Sequence, residues 1–276
     1  MRNTEPKKRT RKKGITWLLN LLVILCLLGA LICGYLYFKD LNEVKEGEAE
    51  YEKLDQYVVE AMPPAADDGE EIKVEPWRIA IDFDRLLSEN PDTRGWIYIP
   101  ETPVSYPVVQ GRDNDEYLYK SIYGNHSVCG SIFADYRNAL VPRLVDSNTV
   151  LYGHNMGGNR TSMFSSLLEY KEKSYYDAHS LLQFDTTAGT GTWTIFAAFN
   201  YDVSVKDDFS YIQTQFADEA DFNSFVSEAK SRTPYDTGVE VQYGDRVLTL
   251  STCDRSYNGA NGRYVVMAVL TGGTLQ

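Results

Sequence analysis

Reactive side chains are scarce in this chain. Its 276 residues include three histidines and four cysteines. Two of the cysteines, Cys26 and Cys33, lie inside a long apolar run, which leaves Cys129 and Cys253 outside it. No CxxC occurs, which excludes a thioredoxin-like dithiol. No HExxH and no close Cys/His cluster occurs, so no zinc site is expected, and no other cofactor is implied. Cations are also in deficit. Lys and Arg number 27 against 39 Asp and Glu, a net charge of −12. Phosphate binding needs clustered Lys and Arg, so nucleic acid is not an expected partner. Internal repeats and low-complexity stretches are absent as well.

The basic residues that exist are unevenly placed. Met1 to Lys13 holds seven Lys/Arg and one Glu. ITWLLNLLVILCLLGALICGYLYF follows, Ile15 to Phe38, with no charge. A helix of about 20 apolar residues crosses a bilayer core, whereas a signal peptide uses an apolar region of about 7–15. The expected layout is a basic cytoplasmic tail over 1–14 and a transmembrane helix over 15–38. An acidic, partly helical linker over 39–75 and a catalytic domain over 76–276 follow. Basic flanks stay on the cytoplasmic side, so the domain is expected outside the cell, tethered by a single pass.

From Pro76 onward aromatic and β-branched residues become dense. Short runs bounded by Gly, Pro, Asn or Asp predict strands at Trp96 to Ile99, Val104 to Val109, Ser131 to Ala134 and Thr149 to Tyr152. Others fall at Trp193 to Phe199, Val247 to Ser251 and Tyr264 to Leu270. Helical spacing occurs at Phe83 to Glu89, Met163 to Tyr170 and Glu219 to Ser231, the last with Asp218 as N-cap. Strands dominate without regular alternation with helices. A mostly β domain follows, a barrel or sandwich with added helices.

The chemistry collects at strand ends. RVLTLSTCDRSYNGANGRYVVMAVL, Arg246 to Leu270, sets Cys253 at the end of one apolar run and Arg263 at the start of the next. A thiol is a nucleophile as thiolate, and a nearby cation favours that form. Arginine is permanently charged and donates to a developing oxyanion. His154 ends a third apolar run, TVLYGHN, and is the expected acid–base group. His126 and His179 lie in loop-like contexts. A phosphatase loop would set Cys and Arg about six positions apart, but Arg255 is two away and Arg263 ten. A papain-type order, cysteine early and histidine late, is reversed here. One disulfide between Cys129 and Cys253 is the purely structural reading.

TLSTCD, with LYGHN upstream and GRYVV downstream, resembles the sortases over about Trp77 to Leu270. VVQGRDNDEYL (Val108 to Leu118) and GSIFADYRN (Gly130 to Asn138) are similar to class B segments. The resemblance implies an eight-stranded β-barrel and a cysteine transpeptidase of Gram-positive bacteria. It implies cleavage of an Asn-Pro-x-Thr-like C-terminal sorting signal on secreted proteins through a thioacyl-enzyme. The acyl group would pass to an amine of the peptidoglycan cross-bridge or of lipid II. Cys253 would be nucleophile, His154 acid and base, and Arg263 the oxyanion donor. Substrate contacts would be Asn114, Leu118, Tyr211, Ile212, Ser251, Thr252 and Asp254. Three alternatives stand beside it. A class C pilin polymerase would need a lid, for which IDFDRL (Ile81 to Leu86) is the stretch to inspect. An L,D-transpeptidase would carry Ser-x-Gly-Cys, but Thr252 precedes Cys253. A non-catalytic surface-binding module would leave Cys253 structural.

Overall fold

The uncharged run lies within one helix, α1 (Thr10–Tyr51), in a computed structural model that describes residues 10–59, 77–140, 146–206 and 209–275. Its large apolar side chains from Trp17 to Phe38 are exposed on all sides. A helix apolar all round has no polar face to turn to water. It is long and apolar enough to cross a membrane.

The chain divides into two compact units, the first ending at Glu46 and the second starting at Gly47. That division falls inside the expected linker, 39–75. Residues 52–57 form a 3-10 helix whose Leu54 and Tyr57 are buried in the core of the second unit. The acidic composition of EYEKLDQY hides these two apolar anchors in the sequence. Residues 60–75 of the expected linker lie outside the described residues. Two short strands, β1 (Val58–Val59) and β2 (Ala80–Ile81), pair antiparallel as a separate ribbon. IDFDRL forms no lid. Asp82 caps α2 (Phe83–Glu89) by accepting the Arg85 N–H at 3.0 Å, and Leu86 is fully buried.

Eight strands close a barrel. They are β3 (Thr93–Tyr98), β4 (Ser105–Val109), β5 (Ile132–Ala134), β6 (Asn148–Tyr152), β7 (Leu181–Thr186), β8 (Gly191–Asp202), β9 (Val247–Cys253) and β10 (Gly262–Gly273). Their order is β10-β8-β7-β3-β4-β5-β6-β9, with β9 pairing β10 to close the ring. Pairs β4–β5 and β6–β9 are parallel and the rest antiparallel. Closure leaves no sheet edge unpaired. Trp96, Phe184 and Trp193 fill the inner core.

One strand, β7, has no counterpart in the sequence reading. Gln183 and Asp185 break its apolar pattern, yet both are buried. Gln183 bonds both backbone groups of Ile79, at 3.0 and 2.7 Å, and Asp185 pairs with Arg78 at 2.6 Å. Burial favours the neutral carboxyl and pushes Asp185 above its ordinary pKa, against the pull of Arg78. Helix α3 (Lys173–Ala178) is likewise additional, and Met163 to Tyr170 is a 3-10 helix over Ser165–Lys171.

β10 is buried on both faces, which explains its unbroken apolar run. Tyr264, Val266 and Ala268 join the inner core. Val265, Met267 and Val269 face the other way and join an outer cluster with Phe222 and Phe225 of α4 (Glu219–Arg232). Asp218 caps α4 as expected, accepting the Asp221 N–H at 3.0 Å.

Candidate active site

Three neighbouring strands end or begin at one rim of the barrel. In β9 the first six residues are buried, and Cys253 is the first to reach solvent. Across the antiparallel pair, Cys253 stands in register with Arg263, the second residue of β10. On its other side β9 runs parallel to β6, with Ser251 opposite Tyr152. The pairing continues past the strand. Gly153 donates its N–H to Ser251 O at 3.2 Å, and Thr252 Oγ1 donates to Gly153 O at 2.8 Å. The next residue, His154, leaves the sheet at the end that carries Cys253. Asn155 Nδ2 then donates to Cys253 O at 2.8 Å. Gly153 has no room for a side chain, since a Cβ there would meet Ile132 and Phe164 at 2.5 and 2.7 Å.

His154 is held by main chain. Its Nε2 lies 2.7 Å from Leu118 O. A carbonyl only accepts, so Nε2 carries the proton and Nδ1 is the nitrogen left for chemistry. The Tyr119 ring stacks on the imidazole, centroids 5.5 Å apart and planes tilted by 35°. Burial disfavours the imidazolium and holds the His154 pKa below its ordinary value. The Leu118 carbonyl opposes this shift and the Arg255 charge adds to it.

The sign of that shift gives a testable slope. An unfolded imidazole titrates near ~6.5. The folded value is lower, so stability is whole above ~6.5 and is lost as pH falls through the folded value. Replacing His154 with Asn is expected to flatten the fall in unfolding free energy below pH ~6.5. Urea unfolding of both proteins across that range checks it. Equal slopes would show that the buried ring costs nothing to protonate.

Arg263 Nη1 donates to Ala260 O and Gly262 O, both at 2.9 Å, fixing the side chain along the loop it opens. Among the described residues, its Nε and Nη2 make no such bond. Tyr211 is buried and accepts the Ser251 hydroxyl at 3.1 Å. Burial raises its phenol above the ordinary range, with Ser251 and the Arg263 charge pulling down and Cys253 pushing up. Tyr211 therefore lies near Ser251, Arg263 and Cys253.

The other expected contacts divide. Leu118 is half-buried, and its carbonyl is the group that meets His154. Asn114 is half-buried, donating to Asp135 Oδ2 at 3.1 Å and accepting the Tyr136 N–H at 3.0 Å. Tyr152 Oη donates to the same carboxylate oxygen at 2.8 Å, linking Asn114 to the end of β6. Ile212 is half-buried, and its carbonyl accepts from Arg137 Nη2 at 3.4 Å. Ser251, Thr252 and Asp254 have their side-chain polar groups bonded within the protein. Ser251 and Thr252 are buried, Ser251 donating to Tyr211 and Thr252 to Gly153. Asp254 is 0% exposed. Its carboxylate accepts from Lys171, Asn200 and Ser256. Burial pushes its pKa up, but these donors outweigh it and hold it at about 2. Side chains alternate along a strand, so the neighbours of an outward Cys253 point inward. Cys129 is a fully buried free thiol pushed up to about 11 by burial, and Cys253 is also free, so no disulfide joins them. Among the described residues, no three His, Cys, Asp or Glu groups gather to hold a metal.

No residue type marks the Leu118 carbonyl, because a main-chain acceptor belongs to every residue. Tyr119, Lys171 and Asn200 carry no motif that marks them for the site. Asn155 had a signal, since it follows His154 at the end of the same run.

This arrangement can hold an acyl group on sulfur beside a proton carrier and a fixed cation. The family described as Sortase domain matches residues 97–271. Sortase B of Staphylococcus aureus (strain NCTC 8325 / PS 47) is 34% identical over 250 residues, covering 91% of this chain and 95% of that protein. Sortase B of Listeria monocytogenes serovar 1/2a (strain ATCC BAA-679 / EGD-e) is 36% identical over 185 residues, covering 67% and 72%. A solved Staphylococcus aureus sortase B-substrate complex superposes with a TM-score of 0.62 at 35% identity, covering 68% of this chain and 84% of that one. With the rim of β6, β9 and β10 built as described, the chain belongs to the sortase family of transpeptidases, alongside its sortase B relatives.

Proposed function

We propose that this protein cleaves a C-terminal, Asn-Pro-x-Thr-like sorting signal of secreted proteins and joins the new carboxyl end to a cell-wall amine. The observation that carries the reading is the register of Cys253 with Arg263 beside the end of β6 that bears His154. His154 Nδ1 takes the Cys253 thiol proton, the resulting thiolate attacks the threonine carbonyl carbon, and the C–O π pair moves onto oxygen. Arg263 donates to that oxyanion. As the tetrahedral adduct collapses, the C–N bond breaks and His154 Nδ1–H protonates the leaving amine. A thioester remains. An incoming amine, from a peptidoglycan cross-bridge or lipid II, then attacks it while Nδ1 takes up the proton. Cys253 leaves as thiolate and a new amide is formed. Splitting one difficult exchange into two acyl transfers is the gain of covalent catalysis. The Leu118 carbonyl takes the orienting role that a carboxylate plays in other triads.

In this reading α1 anchors the protein and the basic tail keeps the N-terminus cytoplasmic, so the barrel works outside the cell. Incubating the protein with peptides of the form Asn-Pro-x-Thr-x, and with scrambled controls, tests the chemistry. The expected result is a mass increase on Cys253 equal to the fragment ending in Thr, discharged by triglycine. An alkylatable Cys253 that forms no adduct with any member of the panel would overturn it.

A further inference from the structure

Lys171 belongs to none of the elements that carry Cys253, His154 or Arg263, yet it touches the residues that follow Cys253 and Arg263. The 3-10 helix Ser165–Lys171 starts beside Phe164, whose N–H donates to His154 O at 3.0 Å. Its last residue, Lys171, sends Nζ to Asp254 Oδ2 at 2.6 Å. The same ammonium lies over the Tyr264 ring, 5.6 Å from its centroid. Asp254 follows Cys253, and Tyr264 follows Arg263.

The carboxylate is fully occupied. Oδ2 also accepts Asn200 Nδ2 at 2.7 Å, from the β8 residue paired with Tyr264. Oδ1 accepts the Ser256 hydroxyl at 2.5 Å and the Ser256 and Tyr257 N–H groups at 3.1 and 3.3 Å. Five donors leave no lone pair for His154 or a substrate. Asp254 N–H in turn donates to Gly262 O at 3.0 Å, which pins both ends of the loop between the strands. The fit is close, since a Cβ on Gly262 would strike Asp254 O at 2.1 Å.

We propose that Lys171 is a positioning residue of the transpeptidation site: its ion pair with Asp254 fixes the strand ends bearing Cys253 and Arg263 against the segment that follows His154. The proposal rests on the acyl-transfer reading above. The Lys171 side chain is 36% exposed while that of Asp254 is 1% exposed. Among the described residues, the ammonium is the charge paired with this carboxylate, and it reaches it from the solvent side. Without it, α5 (Arg255–Asn258), which Asp254 caps, loses its tie to the 3-10 helix. A displacement of about 1 Å between reacting groups costs on the order of 100-fold in rate.

The test compares Lys171→Met, Lys171→Arg and the double variant Lys171→Met/Asp254→Asn. The double variant removes both charges, so it guards against misfolding from a buried, uncompensated carboxylate. For Lys171→Met we expect kcat to fall about 10- to 100-fold, with KM for the sorting peptide within about twofold. Lys171→Arg keeps a cation on Asp254 and should recover most of kcat. The double variant should fold, with melting near wild type, and still turn over slowly. Normal kcat in the double variant would overturn the proposal. So would a loss in Lys171→Met that vanishes once rates are corrected for the folded fraction by near-ultraviolet circular dichroism. Iodoacetamide labelling of Cys253 separates this failure from that of the proposed function, because it needs no sorting peptide. If wild type acylates with no peptide, the positioning role still requires Lys171→Met to change the labelling rate severalfold. An unchanged rate would sink it.

Discussion

Cys253→Ala is expected to abolish both the thioacyl-enzyme and peptide transfer, with kcat falling by at least ~10⁴-fold, as removal of a nucleophile does elsewhere. The fold should be untouched. Cys253 is the last residue of β9 and only half-buried, and its alanine variant keeps the main-chain pairing with Arg263. Such partly exposed positions usually change stability by no more than ~0.5 kcal/mol. Cys129→Ala is the matched control. That thiol is fully buried in the barrel core, so its loss should lower the melting temperature while leaving kcat close to wild type. The measurement is acyl-enzyme by intact mass together with product formation, read beside a thermal melt. Substantial turnover in Cys253→Ala would remove the mechanism. Inactivity of Cys129→Ala at full folding would assign the second thiol a role that its burial does not suggest.

The contrast between the two cysteines was legible in the sequence because reactive groups stood where apolar runs ended. TLSTC, LYGHN and GRYVV each pair a buried strand with one polar residue at its lip, and β6, β9 and β10 bring those lips together. What stayed hidden was hidden for physical reasons. β7 carries Gln183 and Asp185 into the interior, where Ile79 and Arg78 satisfy them, so no periodicity marks it. Leu54 and Tyr57 are isolated among acids, yet two apolar anchors three residues apart suffice to seat a helical turn on the barrel. Asp254 is a substrate contact only as the resemblance implies, at the position after Cys253. The alternation of β9 turns Thr252 inward, and Asp254 follows it to cap α5. Adjacency in sequence says that two residues are near. The period of the strand says whether they share a face.

Arg263→Lys should keep the charge and lose most of the rate. Arginine presents five donors in a rigid planar fork, whereas lysine offers one compact ammonium on a flexible stem. In this protein one nitrogen, Nη1, already donates to both Ala260 O and Gly262 O at 2.9 Å. Those two bonds set the plane of the guanidinium and leave its remaining edge for an oxygen on the substrate. A lysine ammonium satisfying the same carbonyls would be drawn along the loop, away from the carbonyl attacked by Cys253. One that reaches the oxyanion would abandon the loop. It cannot do both with one atom. Loss of one oxyanion donor typically lowers kcat by about 10²–10³. The interaction strengthens only as charge develops on oxygen, so kcat and kcat/KM should fall together while KM changes little. Steady-state kinetics with a sorting peptide and triglycine read this directly, with single-turnover acylation separating the first step from the second. The acylation rate should drop by the same factor as kcat if Arg263 serves the first tetrahedral adduct. Near-normal kcat in Arg263→Lys would move the oxyanion role to backbone N–H groups of the Cys253–Gly262 loop or to Arg255. In that case Arg255→Ala, in the same assay, would have to show the loss instead.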